Sequence, residues 1–237
     1  MRESAQLELL GEFAQIYADL PFTAQPDPAR RYHYENGNFS YSDAIMLACM
    51  IRHSNAQQLV EVGSGFSSCL TLDVNELFMR GAMSLTFIEP FPALLHSLLR
   101  PQEVAGLCIL AQPVQDVALS TFSGLRRGDI LFIDSSHVAK IGSDVNHLVF
   151  TVLPALQSGV LVHFHDIFFP FEYPQAWLAE GRAWNEAYLL RAFLQYNAQF
   201  EVVLMNNFMA HRHADFFARH MPLCLRNTGG SLWLRKK

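Results

Sequence analysis

The alternation of short β-rich runs with longer helical stretches constrains the fold of this chain most strongly. The first five runs are separated by segments of about 20–25 residues, the length of a crossover helix with its turns. This rhythm predicts an α/β fold with a mostly parallel sheet. In chain order, the runs are Leu59–Val62, Leu85–Ile88, Leu107–Leu110, Ile130–Ile133, Val160–Phe164, Phe200–Met205 and Ser231–Leu234.

The segment before the first run has a different character. Apolar residues at helical spacing predict a helix over residues 4–20, ended by Pro21, and an ordered aromatic arm follows it. Ser42 and Asp43 predict the start of a core helix over Ala44–Ile51. We therefore expect an N-terminal helix and arm or lid in residues 1–41 and the main domain in residues 42–237.

The segment before the last run lacks a clear pattern. No apolar helix pattern fills residues 206–230, and His211, His213 and His220 are read there as part of a solvated loop. The pair Gly229-Gly230 stands just before the final run, so we expect the last strand to be antiparallel.

The composition excludes several classes of protein. A chain with 51% hydrophobic and 16% charged residues can build a large core and is not disordered. The net charge of −5 argues against a nucleic-acid partner. No apolar stretch is long enough to span a membrane, and the N-terminus does not have the pattern of a signal peptide. Four cysteines without a CxxC pair fit a reducing compartment, so we expect a cytoplasmic protein.

A carboxylate and a glycine turn mark the end of the first run. Gly63 and Gly65 suit a tight strand-to-helix turn, but Ser68 stands where a dinucleotide fingerprint has its third glycine. The charge of Glu61 would repel a pyrophosphate and attract the sulfonium and ammonium groups of S-adenosylmethionine. This favours S-adenosylmethionine over NAD or FAD. A plain turn, with Glu61 capping a helix or pairing with an arginine, is the alternative.

Acidic residues also follow the second and third runs. Glu89 comes 24 residues after Gly65, close to the offset at which a carboxylate meets the ribose hydroxyls of a bound nucleotide. Asp116 is placed to accept a hydrogen bond from an adenine amine, and a helix cap is an equal alternative.

The ends of the fourth and fifth runs carry a cluster of ionisable side chains, Asp134 with His137 and His165 with Asp166. Neighbouring parallel strands would bring them to one edge of the sheet. They can bind a divalent cation or supply a general base. His163 lies deeper in its strand and is read as structural.

Taken in order, the segments EVGSGFSS, FIEP, PVQDV, DILFIDSSH and VLVHFHDI resemble the class I S-adenosylmethionine-dependent methyltransferases, and within them methyltransferase family 24. The resemblance covers roughly residues 39–205 and extends to the last strand. It implies a Rossmann-like, doubly wound sheet of seven strands, with the last strand antiparallel and helices on both faces in a three-layer αβα arrangement.

The resemblance also assigns roles to individual residues. It places the methionine part of the cofactor at the glycine turn, the ribose at Glu89 and the adenine beside Asp116 and Val117. The residues of that turn are Glu61, Gly63, Ser64 and Gly65. Asp134 would face the methyl donor and the acceptor.

Some relatives hold a magnesium ion between an Asp after strand four and an acidic pair after strand five. Asp134 and Asp166 match that layout, but His165 replaces the first acid of the pair. The candidate cation ligands are therefore Asp134, His165 and Asp166, and a metal-free histidine base is the alternative.

Two aromatic segments complete the site implied by the resemblance. Arms in this superfamily often close over the cofactor, which makes Tyr34, Asn36, Phe39 and Tyr41 candidates to line the site. The aromatic stretch after strand five can build an acceptor pocket, pack in the core or form a homodimer contact. Its candidates are Phe168, Phe169, Phe171, Tyr173, Trp177 and Trp184.

These observations predict an enzyme that methylates a small-molecule acceptor, most simply at a hydroxyl oxygen. The expected catalytic residues are His137, His165 and Asp166. The alternatives are an NAD-type oxidoreductase on the same scaffold and a non-catalytic module that binds the cofactor.

Overall fold

A single seven-stranded sheet organises the molecule. The computed structural model describes residues 1–237, and the strand order is β3-β2-β1-β4-β5-β7-β6. β1 to β5 pair in parallel, and β7 runs antiparallel to both β5 and β6. The predicted α/β class and the antiparallel last strand are confirmed. The strands are β1 (Gln58–Val62), β2 (Ser84–Ile88), β3 (Cys108–Leu110), β4 (Ile130–Ile133), β5 (Leu161–Phe164), β6 (Phe200–Met205) and β7 (Leu232–Lys236).

Helices cover both faces of this sheet. Every residue of β4 and β5 is buried, as expected for strands covered on both sides. A π-helical stretch, Leu148–Val152, joins α7 to α8. The helices are α1 (Glu3–Tyr17), α2 (Tyr41–Ser54), α3 (Phe66–Phe78), α4 (Ala93–Leu98), α5 (Pro101–Val104), α6 (Ser120–Ser123), α7 (Asp144–His147), α8 (Leu153–Ala155), α9 (Gln175–Ala179), α10 (Glu186–Leu194), α11 (Asn206–Arg212) and α12 (Ala214–His220).

The register of the central strands brings their carboxyl ends to one level. Val62 of β1 pairs with Ile133 of β4, and Ile133 pairs with Phe164 of β5. The chain order reverses at β1, which lies between β2 and β4. Ligands of open α/β sheets bind at such a switch point, outside the carboxyl ends of the strands.

The N-terminal arm is part of the core. Tyr32, Tyr34 and Phe39 are almost completely buried and belong to the main apolar cluster, together with α2. The first helix ends at Tyr17, earlier than predicted, and the core helix is longer than predicted because it begins at Tyr41.

A network of charged groups ties this arm to α3. The buried Asp73 carboxylate accepts hydrogen bonds from the backbone N–H groups of Arg31 and Tyr32, each at 2.9 Å. The Arg31 guanidinium reaches Asp73 at 2.7 Å and also pairs with Glu76 and Glu103. The arm is therefore fixed to α3 before residue 41.

The prediction for residues 206–230 is wrong, because helices occupy most of this segment. α11, α12 and a 3₁₀ turn over Pro222–Leu225 bury Met209, Phe217 and Met221. Each helix is too short to show a helical period in the sequence. His213 is also not a free loop residue, since its ring nitrogen lies 2.9 Å from the Glu3 carboxylate.

None of the helices combines the length and the apolar character that crossing a lipid bilayer requires.

Candidate active site

The glycine turn after β1 brings two strand ends into direct contact. Gly63 has a φ of +86°, and a Cβ at this position would overlap the carbonyl oxygen of Asp134. Its N–H donates to the Ile88 carbonyl at 3.0 Å, and the Asp134 N–H donates to the Val62 carbonyl at 2.8 Å. Only glycine fits here, because the position demands both a left-handed backbone and the absence of a side chain.

Glu61 lies beneath this turn and not at its mouth. Its side chain is buried, and Oε1 accepts hydrogen bonds from Ser67 Oγ at 2.5 Å and Ser68 Oγ at 2.9 Å. Oε2 is buried without a hydrogen-bond partner. Burial raises the pKa of Glu61 to about 8, although the two serine hydroxyls lower it. The carboxylate thus has an unfilled acceptor beside the turn.

An open groove of 440 Å³ lies over the glycine turn. Glu89 borders it and holds its own loop by accepting a hydrogen bond from the Phe91 N–H at 2.9 Å. Three carboxylates and one lysine give the groove a negative character. The lining residues are Val62, Gly63, Ile88, Glu89, Pro90, Pro113, Val114, Gln115, Asp134, Ser135, Ser136, Lys140, Gly142, Ser143 and Asp144.

Several of the predicted cofactor residues lie outside this lining. Tyr41 is buried, its ring stacks on Tyr34 at 5.1 Å and its hydroxyl donates to Glu35. Asp116 is exposed and Val117 is buried. Glu61 is buried as described, and Ser64 has a buried hydroxyl without a partner.

Sequence reasoning missed Gln115 and Asp144, which do line the groove. Asp144 accepts hydrogen bonds from the N–H and the hydroxyl of Ser136 at 2.8 and 2.6 Å. The sequence signal that could have indicated Asp144 is Ser143, a typical N-cap residue. It caps α7 and so places Asp144 in the first turn of that helix, at the same edge of the sheet as Asp134.

His137 is the centre of an ionic cluster next to this groove. Its Nδ1 lies 2.8 Å from the Glu186 carboxylate, and its Nε2 lies 3.3 Å from Asp134 and 3.8 Å from Asp166. Burial would lower the pKa of His137, but the hydrogen bonds to Asp134 and Glu186 outweigh burial and raise it to about 10. The imidazole therefore carries a proton at neutral pH.

Both strand-end carboxylates respond to their surroundings. Burial would raise the pKa of Asp134, yet the charges of His165 and His137 hold it below its usual value. For Asp166, burial dominates and raises the pKa, although His165 and His137 partly oppose this effect.

His137 and Asp166 also have left-handed backbones, with φ of 58° and 57°. Such conformations are unusual for residues other than glycine and often occur at functional sites.

The structure brings Asp134, His137 and Asp166 together, with one donor atom of each within 4.8 Å of the others. His165 stands beside this group, where its Nε2 lies 3.4 Å from the Asp166 carboxylate and its Nδ1 is buried without a partner. The sequence did not single out Glu186, which follows His137 by 49 residues and starts α10. The only sequence signal for Glu186 is its position as an acidic residue at the start of an apolar helix.

A second, smaller cavity of 240 Å³ lies against Asp166 and His165. It shares no lining residue with the groove. The lining residues are Gly37, Asn38, Ser40, Asp43, His165, Asp166, Phe168, Pro174, Trp177, Asn227, Gly229 and Gly230.

The predicted aromatic residues divide between this cavity and other roles. Phe168 and Trp177 line the cavity, and their ring centroids are 5.3 Å apart. Trp184 packs on His137 at 4.3 Å, Tyr173 is buried, and Phe169 is exposed. Phe171 packs against the core. Of the arm, only residues 37, 38 and 40 reach the cavity.

His163 is fully buried and outside both spaces. Its Nε2 lies 2.8 Å from Ser231 Oγ, which donates to the Asp43 carboxylate at 2.5 Å. Desolvation holds the pKa of His163 well below its usual value.

Comparison with known proteins agrees with this geometry. Residues 60–167 match the family model for a methyltransferase domain. A protein of Archaeoglobus fulgidus without an assigned function is 34% identical over 126 residues, which is 52% of this chain and 55% of that protein. The chain thus spans about half the length of the curated relative that it matches.

Two solved structures share the architecture. A Podospora anserina methyltransferase bound to S-adenosylhomocysteine is 13% identical with a TM-score of 0.52, and the match covers 97% of this chain and 87% of that one. A Staphylococcus aureus protein, provisionally described as a caffeoyl-CoA O-methyltransferase, is 14% identical with a TM-score of 0.51, covering 97% and 91%. At these identities the two structures show the fold alone.

The fold is therefore that of the class I methyltransferases, as the resemblance predicted. Within this fold, residues 60–167 are the part of the chain that is similar to the methyltransferase-domain family.

Proposed function

We propose that this protein transfers a methyl group from S-adenosylmethionine to a hydroxyl of a small-molecule acceptor. The observation that carries the proposal is the acidic groove over the Gly63 turn, whose lining residue Asp134 also belongs to the ionic cluster with His137 and Asp166. The methyltransferase domain found over residues 60–167 supports the same activity.

The groove fits a cofactor with positive charge and free hydroxyl groups. Gly63 leaves room for close approach to the backbone, and the unpartnered Oε2 of Glu61 offers an acceptor beside the turn. Glu89 would accept from ribose hydroxyls. When bound, S-adenosylmethionine supplies an electrophilic methyl group, and its transfer leaves S-adenosylhomocysteine. A phosphate-bearing nucleotide would meet the repulsion of Glu89, Asp134 and Asp144.

We assign the second, smaller cavity to the acceptor and call it the acceptor cavity. A hydroxyl bound there would lie next to groups that can take its proton. His165 and Asp166 form a pair 3.4 Å apart in its wall. His137 holds its own proton at neutral pH, so we assign it to orienting the two strand-end carboxylates. Proton removal by the pair would contribute about 10²–10⁴-fold to the rate.

The donor set also fits a divalent cation. Glu186 binds Nδ1 of His137 and so turns Nε2 towards Asp134 and Asp166, as carboxylates behind metal-binding histidines commonly do. We therefore propose Asp134, His137 and Asp166 as the ligands, with His165 next to them. Binding of the cation would displace the proton from Nε2 of His137, since a ligating imidazole must be neutral. A bound cation would lower the pKa of the acceptor hydroxyl.

Isothermal titration calorimetry with S-adenosylmethionine, S-adenosylhomocysteine and NAD⁺ tests the proposal. We expect both sulfur nucleotides to bind and NAD⁺ not to bind. Glu89→Ala should weaken binding about 10- to 100-fold, since a hydrogen bond to a charged group is worth about 1.5–3 kcal/mol. Asp215→Asn, an exposed acid on α12, serves as the control. Preferential binding of NAD⁺ would favour an oxidoreductase and contradict the proposal.

A further inference from the structure

The chemistry of the acceptor cavity restricts what can enter it. Glycines, carboxylates, amides and a hydroxyl form most of its wall, and only one side is aromatic. Its 240 Å³ is below the range of about 300–1,000 Å³ typical of sites for drug-sized ligands. The cavity therefore suits a single small ring with polar substituents.

The lining of the cavity includes buried ionisable groups. Asp43 is 4% exposed and His165 is 5% exposed, and the Nδ1 of His165 has no partner in the protein. Asp166 stands beside them. Two carboxylates at this depth would repel an anionic acceptor, whereas hydroxyl groups can donate to them.

Two polar side chains of the lining, Ser40 and Asn38, have hydrogen-bonding groups that no other protein group uses. Ser40 Oγ accepts from the Asn227 amide at 2.7 Å and keeps its own hydrogen free. The Asn38 side chain makes no hydrogen bond within the protein, although its backbone N–H does. Ser40 and Asn38 come from the arm and Asn227 from the turn before β7, whereas His165 and Asp166 follow β5. A ligand with hydroxyl groups on several edges would satisfy both sides.

The aromatic side is a single wall. Phe168 and Trp177 meet edge to face, with ring planes 78° apart, and the remaining lining residues apart from Pro174 are polar residues and glycines. A flat phenol would leave one face against polar groups. A saturated ring can place its C–H face on the aromatic wall and its hydroxyl groups towards the polar wall.

We propose that the acceptor cavity binds an uncharged polyhydroxylated ring, as in a neutral pyranoside, and that one of its hydroxyls is the methyl acceptor. This inference rests on the proposed function for the transfer step. The binding preference for the ring rests on the cavity itself.

The test is a titration of the full-length protein, with and without saturating S-adenosylhomocysteine, followed by saturation-transfer NMR. The probes are four neutral methyl pyranosides, with gluco, galacto, manno and 6-deoxy configurations. Methyl glucuronide is the anionic comparison and catechol the phenolic one. The same samples are incubated with methyl-labelled S-adenosylmethionine, and label in the probe is counted.

We expect saturable binding of at least one neutral pyranoside and label transfer to it. Trp177→Ala should weaken this binding about 2- to 10-fold, in line with the strength of an aromatic contact. Leu178→Ala is the matched control, because Leu178 is 53% exposed on the same helix and outside the cavity. Cofactor affinity should be the same in all three proteins.

Three results would overturn the proposal. These are no saturable binding of any neutral pyranoside, stronger binding of the glucuronide or catechol, and equal binding by wild type and Trp177→Ala. If S-adenosylhomocysteine itself fails to bind, the proposed function falls, and the titration without it still decides whether the cavity prefers a neutral ring.

Discussion

At the scale of single residues, Glu61 shows that ionising a carboxylate buried beneath the glycine turn costs stability. Its raised pKa means that ionisation opposes folding, because the unfolded chain ionises near the ordinary value of 4.5. The favourable contribution is complete below about pH 4.5 and is lost as the pH rises to about 8. A positively charged ligand beside Oε2 would reverse this penalty.

We predict that Glu61→Gln raises the midpoint of thermal unfolding by more than about 4 °C at about pH 9 and leaves it nearly unchanged at about pH 4. The penalty at the higher pH exceeds about 1 kcal/mol, which corresponds to about 2–4 °C. The same variant should bind S-adenosylhomocysteine more weakly. Thermal melts and calorimetry across this pH range measure both effects. Wild-type stability that does not fall between the two pH values would contradict the assignment.

The proposed cation ligands give a second prediction at this scale. His137→Ala should abolish binding of Mn²⁺, because it removes one of three clustered donors. His165→Ala should retain it, since His165 lies outside the clustered group. Electron paramagnetic resonance of free Mn²⁺ measures the bound fraction. Loss of binding only in His165→Ala would restore the ligand set expected from the sequence.

At the scale of elements, the turn that leads into β7 supports the end of β5. Asp43 on α2 accepts a hydrogen bond from the Gly230 N–H at 3.1 Å, and the Gly230 carbonyl accepts from the Ile167 N–H at 2.7 Å. A Cβ on Gly230 would stand 2.8 Å from Phe168 and 3.1 Å from the Cα of Asp166. The position of Asp166 thus depends on a segment far along the chain.

Gly230→Ala should therefore shift Asp166 and Phe168 and lower turnover at least about 10-fold, as small misplacements in active sites do. Binding of S-adenosylhomocysteine should be kept, because the groove does not include this turn. Gly11→Ala is the control, since a Cβ there meets no atom within 4 Å. Unchanged turnover in a folded Gly230→Ala protein would show that the contact does not position Asp166.

The elements also show what the sequence could reveal. All seven strands were predictable, because buried runs such as Ile130–Ile133 are bounded by turn residues. The same pattern predicted that Glu89, Asp134 and Asp166 lie at the carboxyl ends of their strands. The pairing of His137 with Glu186 did not, since it joins residues 49 positions apart through tertiary packing.

At the scale of the whole molecule, a buried carboxylate on α3 holds the N-terminal arm in place. Asp73 accepts two backbone N–H groups and pairs with Arg31. The assignment of residues 1–41 as a lid therefore applies best to the short part that reaches the acceptor cavity. The assembly of the protein as a homodimer stays a prediction.

We predict that Asp73→Ala lowers the free energy of unfolding by about 3–5 kcal/mol, because it leaves two backbone N–H groups unpaired and removes the buried partner of Arg31. Glu76→Gln should cost less than about 1 kcal/mol, since this carboxylate is mostly exposed in the same network. Urea denaturation measures both. Equal losses in the two variants would show that the arm is not anchored through Asp73.

The separation of groove and acceptor cavity has a kinetic consequence. Since the two spaces share no wall residue, neither reactant has to depart before the other arrives. Double-reciprocal plots of the initial rate should then give intersecting lines, as for a ternary complex assembled in either order. S-adenosylhomocysteine can also be exchanged for S-adenosylmethionine while the other compound stays bound.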